Sequence, residues 1–461
     1  MIRQTISALF IFGLALGSVR AENPGQQPGV PLTLNDLLQH MQPEPPSPDT
    51  KLLSLEECLK EAIEGNYAVK IARNEQEIAR NNHTPAPFLP VLSAGLDQSQ
   101  DRLSNRDVYR GGEPAVKQDY VANTYTADLS LDWRLFDGMS MFATYDTQKE
   151  LLKAGELNLR GNIESLVSDI SEQYYYIVTE QNRLEAAKLY LAISTLRYNQ
   201  ALEKYNIGSI SGLEMKQAKI DLNADSSKLV LQQEIIRNAY ITLYEMMNVD
   251  LKTKAQLCDT ITPNGQLSLE VLRTEAMDRN TSVLLARSGQ RVSELDLKIA
   301  RSSRYPTLDF TAAYRFDHSA SGKLAPRFSQ LHGATWGFTA SIKLFDRLET
   351  NRKIKNAKLE LDNSELTLQQ TQLGVTSEIS RLFNTYRKNF MMIGFEQESA
   401  DAALANLDAA MEMYRLGTMS GIEFREIQRS YLEAVERKLD AVYQAKISEI
   451  NLRYLSGGIL Q

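Results

Sequence analysis

The sequence predicts a mainly α-helical protein with a β part that crosses a membrane, the whole built twice from one unit. Three observations carry that prediction: proline-free stretches long enough for rods, an internal repeat, and segments of strict apolar–polar alternation. The 461 residues include 14 prolines, placed very unevenly. None occurs between Pro114 and Pro263, and none follows Pro326. A proline inside a helix costs about 3 kcal/mol, so these gaps permit very long helices. In the first gap Ile163, Ile170, Ile177, Leu184, Leu191, Tyr198 and Tyr205 recur every seven residues. Leu152, Leu159 and Leu166 form a second such series. Sustained seven-residue periodicity marks a coiled coil. An unbroken helix from Gly138 to Tyr205 would be roughly 100 Å long at about 1.5 Å per residue.

In chain order, residues 1–21 read as an export signal. Arg3 supplies the positive start, Ile6 to Leu16 the short apolar core, and Val19-Arg20-Ala21 a small-x-small cleavage site. Residues 22–50 hold seven prolines and should form an extended tether. Residues 51–250 are the first unit, 251–266 a linker and 267–461 the second unit. LSLEECLKEAIEGN (53–66) matches LSLEVLRTEAMDRN (267–280), and Pro90 matches Pro306. Leu135-Phe136-Asp137 returns as Leu344-Phe345-Asp346, an offset of 209. The turn Tyr205-Asn206-Ile207-Gly208-Ser209-Ile210-Ser211-Gly212 returns at the same offset as Tyr414-Arg415-Leu416-Gly417-Thr418-Met419-Ser420-Gly421.

Each unit carries two alternating segments between its short and long helices, at about 90–102 and 122–136, then at about 306–317 and 332–345. Over 124–135 the apolar set is Tyr125, Ala127, Leu129, Leu131, Trp133 and Leu135, interleaved with Asp128, Ser130, Asp132 and Arg134. Period-two alternation with one charged face is the pattern of a transmembrane β-strand, and aromatics near strand ends suit the membrane interface. The polar set, Asp128, Asp132, Arg134, Asp309, Arg315 and Lys343, would line a water-filled lumen. A soluble sandwich alternates in the same way, but four strands offer no second sheet to pack against. A lone four-stranded sheet has open edges and cannot span lipid. Closed membrane barrels need about eight strands, so several chains must contribute to one barrel. The polar segments 102–121 and 318–331 are expected to be outside loops.

Composition excludes several other functions. The net charge is −7, from 51 Lys+Arg against 58 Asp+Glu, without a basic block, which argues against a nucleic-acid partner. Two cysteines cannot make a disulfide scaffold. Cys58 and Cys258 fall near corresponding places in the two units, and their pairing depends on a separation that sequence does not contain. His40, His83, His318 and His332 lack metal-ligand spacing. Met411, Met413 and Met419 invite a metal-export reading, but methionine at helical spacing is more often core filler. No catalytic constellation and no cofactor motif stands out. A scaffold or surface adhesin would explain the seven-residue repeats, but not the duplicated amphipathic hairpins.

Taken together, the export signal, the duplicated short-helix–hairpin–long-helix units, the openings Pro90-Val91-Leu92 and Pro306-Thr307-Leu308, and a Tyr-x-x-Gly turn ending each long helix resemble the TolC family. The likeness runs over residues 52–457. That family comprises outer-membrane channels of tripartite efflux and type I secretion systems in Gram-negative bacteria. The resemblance implies a homotrimer with a twelve-stranded barrel in outer-membrane lipid and a helical tunnel reaching into the periplasm. It also implies a periplasmic adaptor (membrane fusion) protein at the tip, an inner-membrane pump as energy source, and passive conduction without enzymatic chemistry. Carried over by position, the adaptor-docking turns are Ile207-Gly208-Ser209 and Leu416-Gly417-Thr418. The acidic rings of the closed mouth fall on Glu423 and Glu426, and the tip tyrosine and its acidic partner on Tyr414 and Glu214. The family's tip arginine falls on Met419, so the usual ionic lock is incomplete.

Overall fold

The computed structural model describes residues 51–108, 116–253, 255–321 and 328–460, with side chains at 103–120, 321 and 328 left aside. The expected export signal and tether lie outside these residues, as do His40 and the centres of the two expected outside loops.

The chain opens with β1 (Lys51–Leu53), α1 (Leu55–Gly65) and α2 (Tyr67–Asn82), then the hairpin β2 (Val91–Val108) and β3 (Val116–Phe136). It continues into α3 (Ser140–Asn206) and α4 (Gly212–Met247). After β4 (Ala255–Leu257) come α5 (Leu269–Arg279), α6 (Thr281–Ser302), β5 (Thr307–Ser321), β6 (Phe328–Ser341), α7 (Glu349–Arg415) and α8 (Gly421–Ser456). Both long helices have 67 residues and both following helices have 36. The duplication therefore holds to the residue, and the long helices are rods of roughly 100 Å.

The four hairpin strands make one antiparallel sheet in the order β2-β3-β5-β6, with β2 and β6 at the open edges. Above the helical region the hairpins are longer than alternation indicated. The expected loops are strand up to Val108, from Val116, up to Ser321 and from Phe328. Backbone ladders satisfy their own hydrogen bonds, so a polar hairpin can go on pairing where composition reads as loop. At the other end β6 stops at Ser341, earlier than expected.

Helices order themselves in two floors. Nearer the sheet, α2 packs on α3, α3 on α6 and α6 on α7; further down, α4 packs on α3, α3 on α8 and α8 on α7. Short helices stack end to end at the junction, where Asn66 caps α2 by accepting from the amides of Ala68 and Val69. Its Nδ2 donates to the carbonyl of Met246, near the end of α4. Asn280 repeats this, accepting from the Val283 amide and donating to the Leu455 carbonyl near the end of α8.

The main core lies at this junction. Cys58, Val69, Ile170, Tyr174, Ile177 and Leu243 are fully enclosed there. The parallel pair β1–β4 closes it, and β4 lies in the stretch 251–266 expected to be linker. Tyr174 Oη donates to Asp259 at 2.8 Å, and Asp259 also accepts from the Leu55 amide at 2.9 Å. Both cysteines are free thiols; Cys258 is exposed, and burial first of all pushes the Cys58 thiol up to about 12.

Candidate functional site: a two-faced sheet and a hairpin tip

Strand register divides the sheet into the two faces expected from alternation. On one face Arg134 donates to Asp309 at 2.8 Å, Thr126 to Asp317 at 2.8 Å and Thr124 to Ser319 at 3.2 Å. Asp128 stands opposite Arg315, and Asp132 opposite Thr311. Five of the six expected lumen residues thus share one polar face. Lys343 lies beyond the end of β6, in the corner leading to α7. On the other face Trp133 is opposite Phe310, Leu129 opposite Tyr314, and the rings of Phe310 and Phe338 are 5.0 Å apart. Trp133 Nε1 donates to the Phe88 carbonyl, as a half-immersed indole does at a membrane interface. Leu135 is passed over by a register shift between Arg134 and Phe136.

The sheet turns into the tunnel through two matched corners. Gly138 and Met139 have φ of 71° and 72°, and their counterparts Arg347 and Leu348 have 61° and 65°. Asp137 Oδ1 accepts from the Met141 amide, and Asp346 Oδ2 from the Thr350 amide. This explains the repeated Leu-Phe-Asp: its carboxylate caps the long helix. Those hydrogen bonds, that from the Thr350 hydroxyl first, hold Asp346 below the ordinary carboxylate range.

At the far end each hairpin reverses through a glycine in the left-handed region, Gly208 at φ 77° and Gly417 at φ 79°. Ile207 and Leu416 beside them are exposed, as are Ser209 and Thr418. Ser420 and Glu423 form a capping box at the start of α8. Donation from the Ser420 amide, then from its hydroxyl, lowers the Glu423 carboxyl from its usual value. Glu426 is exposed and 3.9 Å from Arg429.

Tyr414, by contrast, is buried and stacked on Phe424 at 5.0 Å, with Lys204 Nζ 4.9 Å from its ring centre. Tyr414 and Glu214 border one cavity of about 360 Å³ together with Arg197 and Gly421. Burial raises the Tyr414 hydroxyl; Arg197 opposes that rise and Glu214 adds to it. Met411 and Met419 pack into the same apolar cluster as Tyr414, while Met413 is exposed. The methionines near this tip are thus divided, two in the packing and one outside it. Among the described residues no group of three or more His, Cys, Asp or Glu is placed to hold a metal.

Sequence reasoning missed the polar cluster just behind this tip. Arg425 grips Asp225 with two hydrogen bonds, at 2.7 and 2.9 Å, and lies over the Tyr190 ring at 5.1 Å. Ser194 donates to Asp225 at 2.5 Å, and the enclosed Gln428 donates to Ser194 at 3.0 Å. Arg197 pairs with Asp221. The cluster ties the α3–α4 hairpin to α8 inside one protomer. Its signal lay half in the sequence: folding at Gly208 sets Ser194 opposite Asp225 and Arg197 opposite Asp221. Arg425 arrives from the other unit, which a single-hairpin reading does not reach.

A sheet with a polar and an aromatic-apolar face, continued by a layer of 100 Å helices, defines a protein of the barrel-and-tunnel channel class. Among the described residues no helix is long and apolar enough to cross a membrane. The model of the family described as Outer membrane efflux protein matches residues 58–249 and 272–458. The chain belongs to that family, whose known members are outer-membrane transport channels. Outer membrane protein TolC of Escherichia coli (strain K12) is 20% identical over 391 residues, covering 82% of this chain and 76% of TolC. The probable efflux pump outer membrane protein TtgC of Pseudomonas putida is 21% identical over 420 residues, covering 88% of this chain and 83% of its own. Among solved structures, the CmeC outer membrane channel of Campylobacter jejuni superposes with a TM-score of 0.75 at 18% identity, over 88% of this chain and 85% of CmeC.

Proposed function

We propose that this chain is the exit duct of a tripartite export system. It conducts cargo passively from a periplasmic adaptor and an inner-membrane pump, through a lumen across the outer membrane, to the exterior. Three copies complete a twelve-stranded barrel with the Arg134–Asp309 face inward, and their helices form the tunnel below. The exposed turns at Ile207-Gly208-Ser209 and Leu416-Gly417-Thr418 receive the adaptor. Glu423 and Glu426 ring the closed mouth, with Tyr414 and Glu214 bracing it.

The observation that carries this reading is the division of the sheet into two chemically opposite faces. A scaffold or adhesin has no use for a continuous charged face on strands whose other face is aromatic. A strain lacking the gene should become sensitive to compounds that the wild type expels, and the wild-type gene should restore resistance. The protein should sediment with the outer membrane. Full export in the deletion strain, or recovery of the protein in the soluble periplasm, would overturn the proposal.

A further inference from the structure

Where the sheet meets the tunnel, an open groove of about 510 Å³ runs between the head of α3 and the end of α6. Met139, Phe142 and Asp146 line it from one side, and Lys298, Arg301 and Tyr305 from the other. Phe136, the last residue of β3, lies at its sheet end. The apolar members are not packed away: Met139 is 61% exposed, Phe142 53% and Tyr305 59%. Lys298 and Arg301 are exposed too, three residues apart on one face of α6. Neighbouring carboxylates are engaged elsewhere. Glu294 pairs with Arg291, Glu349 with Arg352, and Asp137 caps α3. Among the described residues Lys298 and Arg301 form no ion pair, and neither does Asp146 across the groove from them.

We infer that this groove seats the headgroup of a membrane phospholipid. The phosphate lies on Lys298 and Arg301, a headgroup ammonium on Asp146, and the acyl chains run past Phe142 and Phe136 onto the apolar face of the sheet. The inference rests on the membrane-spanning duct proposed above and adds a lipid site to it.

The groove opens on the right side of the molecule. Phe136 stands opposite Leu308, which shares the parity of Phe310 on the aromatic-apolar face. The Phe142 ring is 5.1 Å from that of Phe88, whose carbonyl accepts from the Trp133 indole on the same face. Depth agrees as well. Phe136 is three residues beyond Trp133, roughly 7 Å along the membrane normal for a strand tilted about 45°. That falls within a headgroup layer about 5–8 Å thick. Lysine and arginine at this level are suited to a lipid phosphate.

Assembly leaves the groove free. α3 and α6 are the inner helices of the layer α2–α3–α6–α7, so a copy added at either open side does not cover it. Nor does the internal repeat create a second one. The matched Pro90 and Pro306 set residues 82–89 opposite 298–305, and 82–89 hold no lysine or arginine. Each chain therefore offers one site.

Native mass spectrometry of the purified, delipidated assembly tests this. Added phosphatidylethanolamine should be retained at up to one molecule per chain. Lys298→Gln with Arg301→Gln should raise the lipid concentration for half occupancy at least fivefold, with the oligomer intact in the same spectrum. Arg352→Gln with Lys353→Gln, an exposed basic pair at the head of α7, should leave retention unchanged. Asp146→Asn should lower the preference for phosphatidylethanolamine over phosphatidylglycerol at least threefold. Inorganic phosphate in millimolar excess should not displace the lipid. Undiminished retention in the groove variant, equal loss in both basic pairs, an unaltered preference in Asp146→Asn, or displacement by phosphate would overturn the lipid site and leave the duct standing. A soluble, monomeric protein would remove both.

Discussion

Arg425 and Asp225 form the ion pair that joins the two hairpins just behind the tip. Asp225 is 2% exposed, and an ion pair so enclosed is costly to break from one side, by about 3–5 kcal/mol, because the other charge is left unpaired. Asp225→Ala should therefore loosen the contact between the two hairpins while leaving the sheet intact. Limited proteolysis near residue 208 should speed up more than tenfold, with the barrel's β signal unchanged; equal proteolysis would show that the cluster does not bind the hairpins. Glu423 offers a pH test of the same tip. Its carboxyl is lower in the folded chain than in the unfolded one, so its capping contribution is complete above the ordinary glutamate range, about 4.3. That contribution fades as pH falls through the folded value. Amide exchange at the start of α8 should rise as pH drops below that range, after correction for intrinsic rates. Ser420→Ala removes the hydroxyl donor but keeps the backbone amide, the larger of the two, so it should weaken that pH dependence without abolishing it.

Among the elements, the corners joining sheet to tunnel are where local strain collects. A non-glycine residue in the left-handed region costs about 1–2 kcal/mol, and the second corner has two in succession, Arg347 and Leu348. Leu348 is exposed and makes little packing, so Leu348→Gly should stabilise by about 0.5–1 kcal/mol once glycine's own entropy cost is subtracted. The reverse change at Gly138, the first corner's counterpart of Arg347, runs the other way: a Cβ there would lie 2.5 Å from the Ser302 carbonyl oxygen. Gly138→Leu should lower the thermal midpoint while Leu348→Gly raises it, as thermal denaturation in detergent would read. Element lengths were legible where one physical period ruled the sequence. The proline gaps and the offset of 209 placed both long helices within two residues. The outer parts of the hairpins were not legible, because backbone pairing there does not need apolar side chains. Nor was the role of Asn66 and Asn280, matched in the sequence as the ends of a repeat but acting through carbonyls nearly 180 residues away. Even the seven-residue series is only partly a seam. Ile170 and Ile177 are enclosed while Tyr205 is 44% exposed, as expected when a 3.6-residue helix drifts about 20° per heptad from a strict seven-residue repeat.

For the whole molecule, the two faces of the sheet set a direct test of membrane insertion. Leu131 and Phe310 belong to the aromatic-apolar face and Ser130 to the polar one. Leu131→Asp or Phe310→Asp should block assembly, since a charge in lipid costs up to a few kcal/mol, and Ser130→Asp should assemble normally on the same gel. The mouth follows from the tip chemistry already described. Three copies would gather Glu423 and Glu426 around one opening. The capping box holds the Glu423 carboxyl below its usual value, so the ring should carry negative charge at neutral pH and attract cations. Met419 contributes packing to the Tyr414 cluster, so in the proposed duct closure would rest on apolar contact and the Arg425–Asp225 tie. A pore closed by packing should respond weakly to salt, and Met419→Arg should make it tighter and more salt-sensitive by adding a positive charge to this acidic tip. Planar-bilayer recording of the purified assembly reads each part. Wild-type pores should be cation-selective, and Glu423→Gln with Glu426→Gln should reduce that selectivity severalfold. Glutamine at position 423 still completes a capping box, so lost selectivity reports lost charge and not a frayed helix. Anion selectivity in the wild type, or no change in the double variant, would exclude these two residues from the mouth.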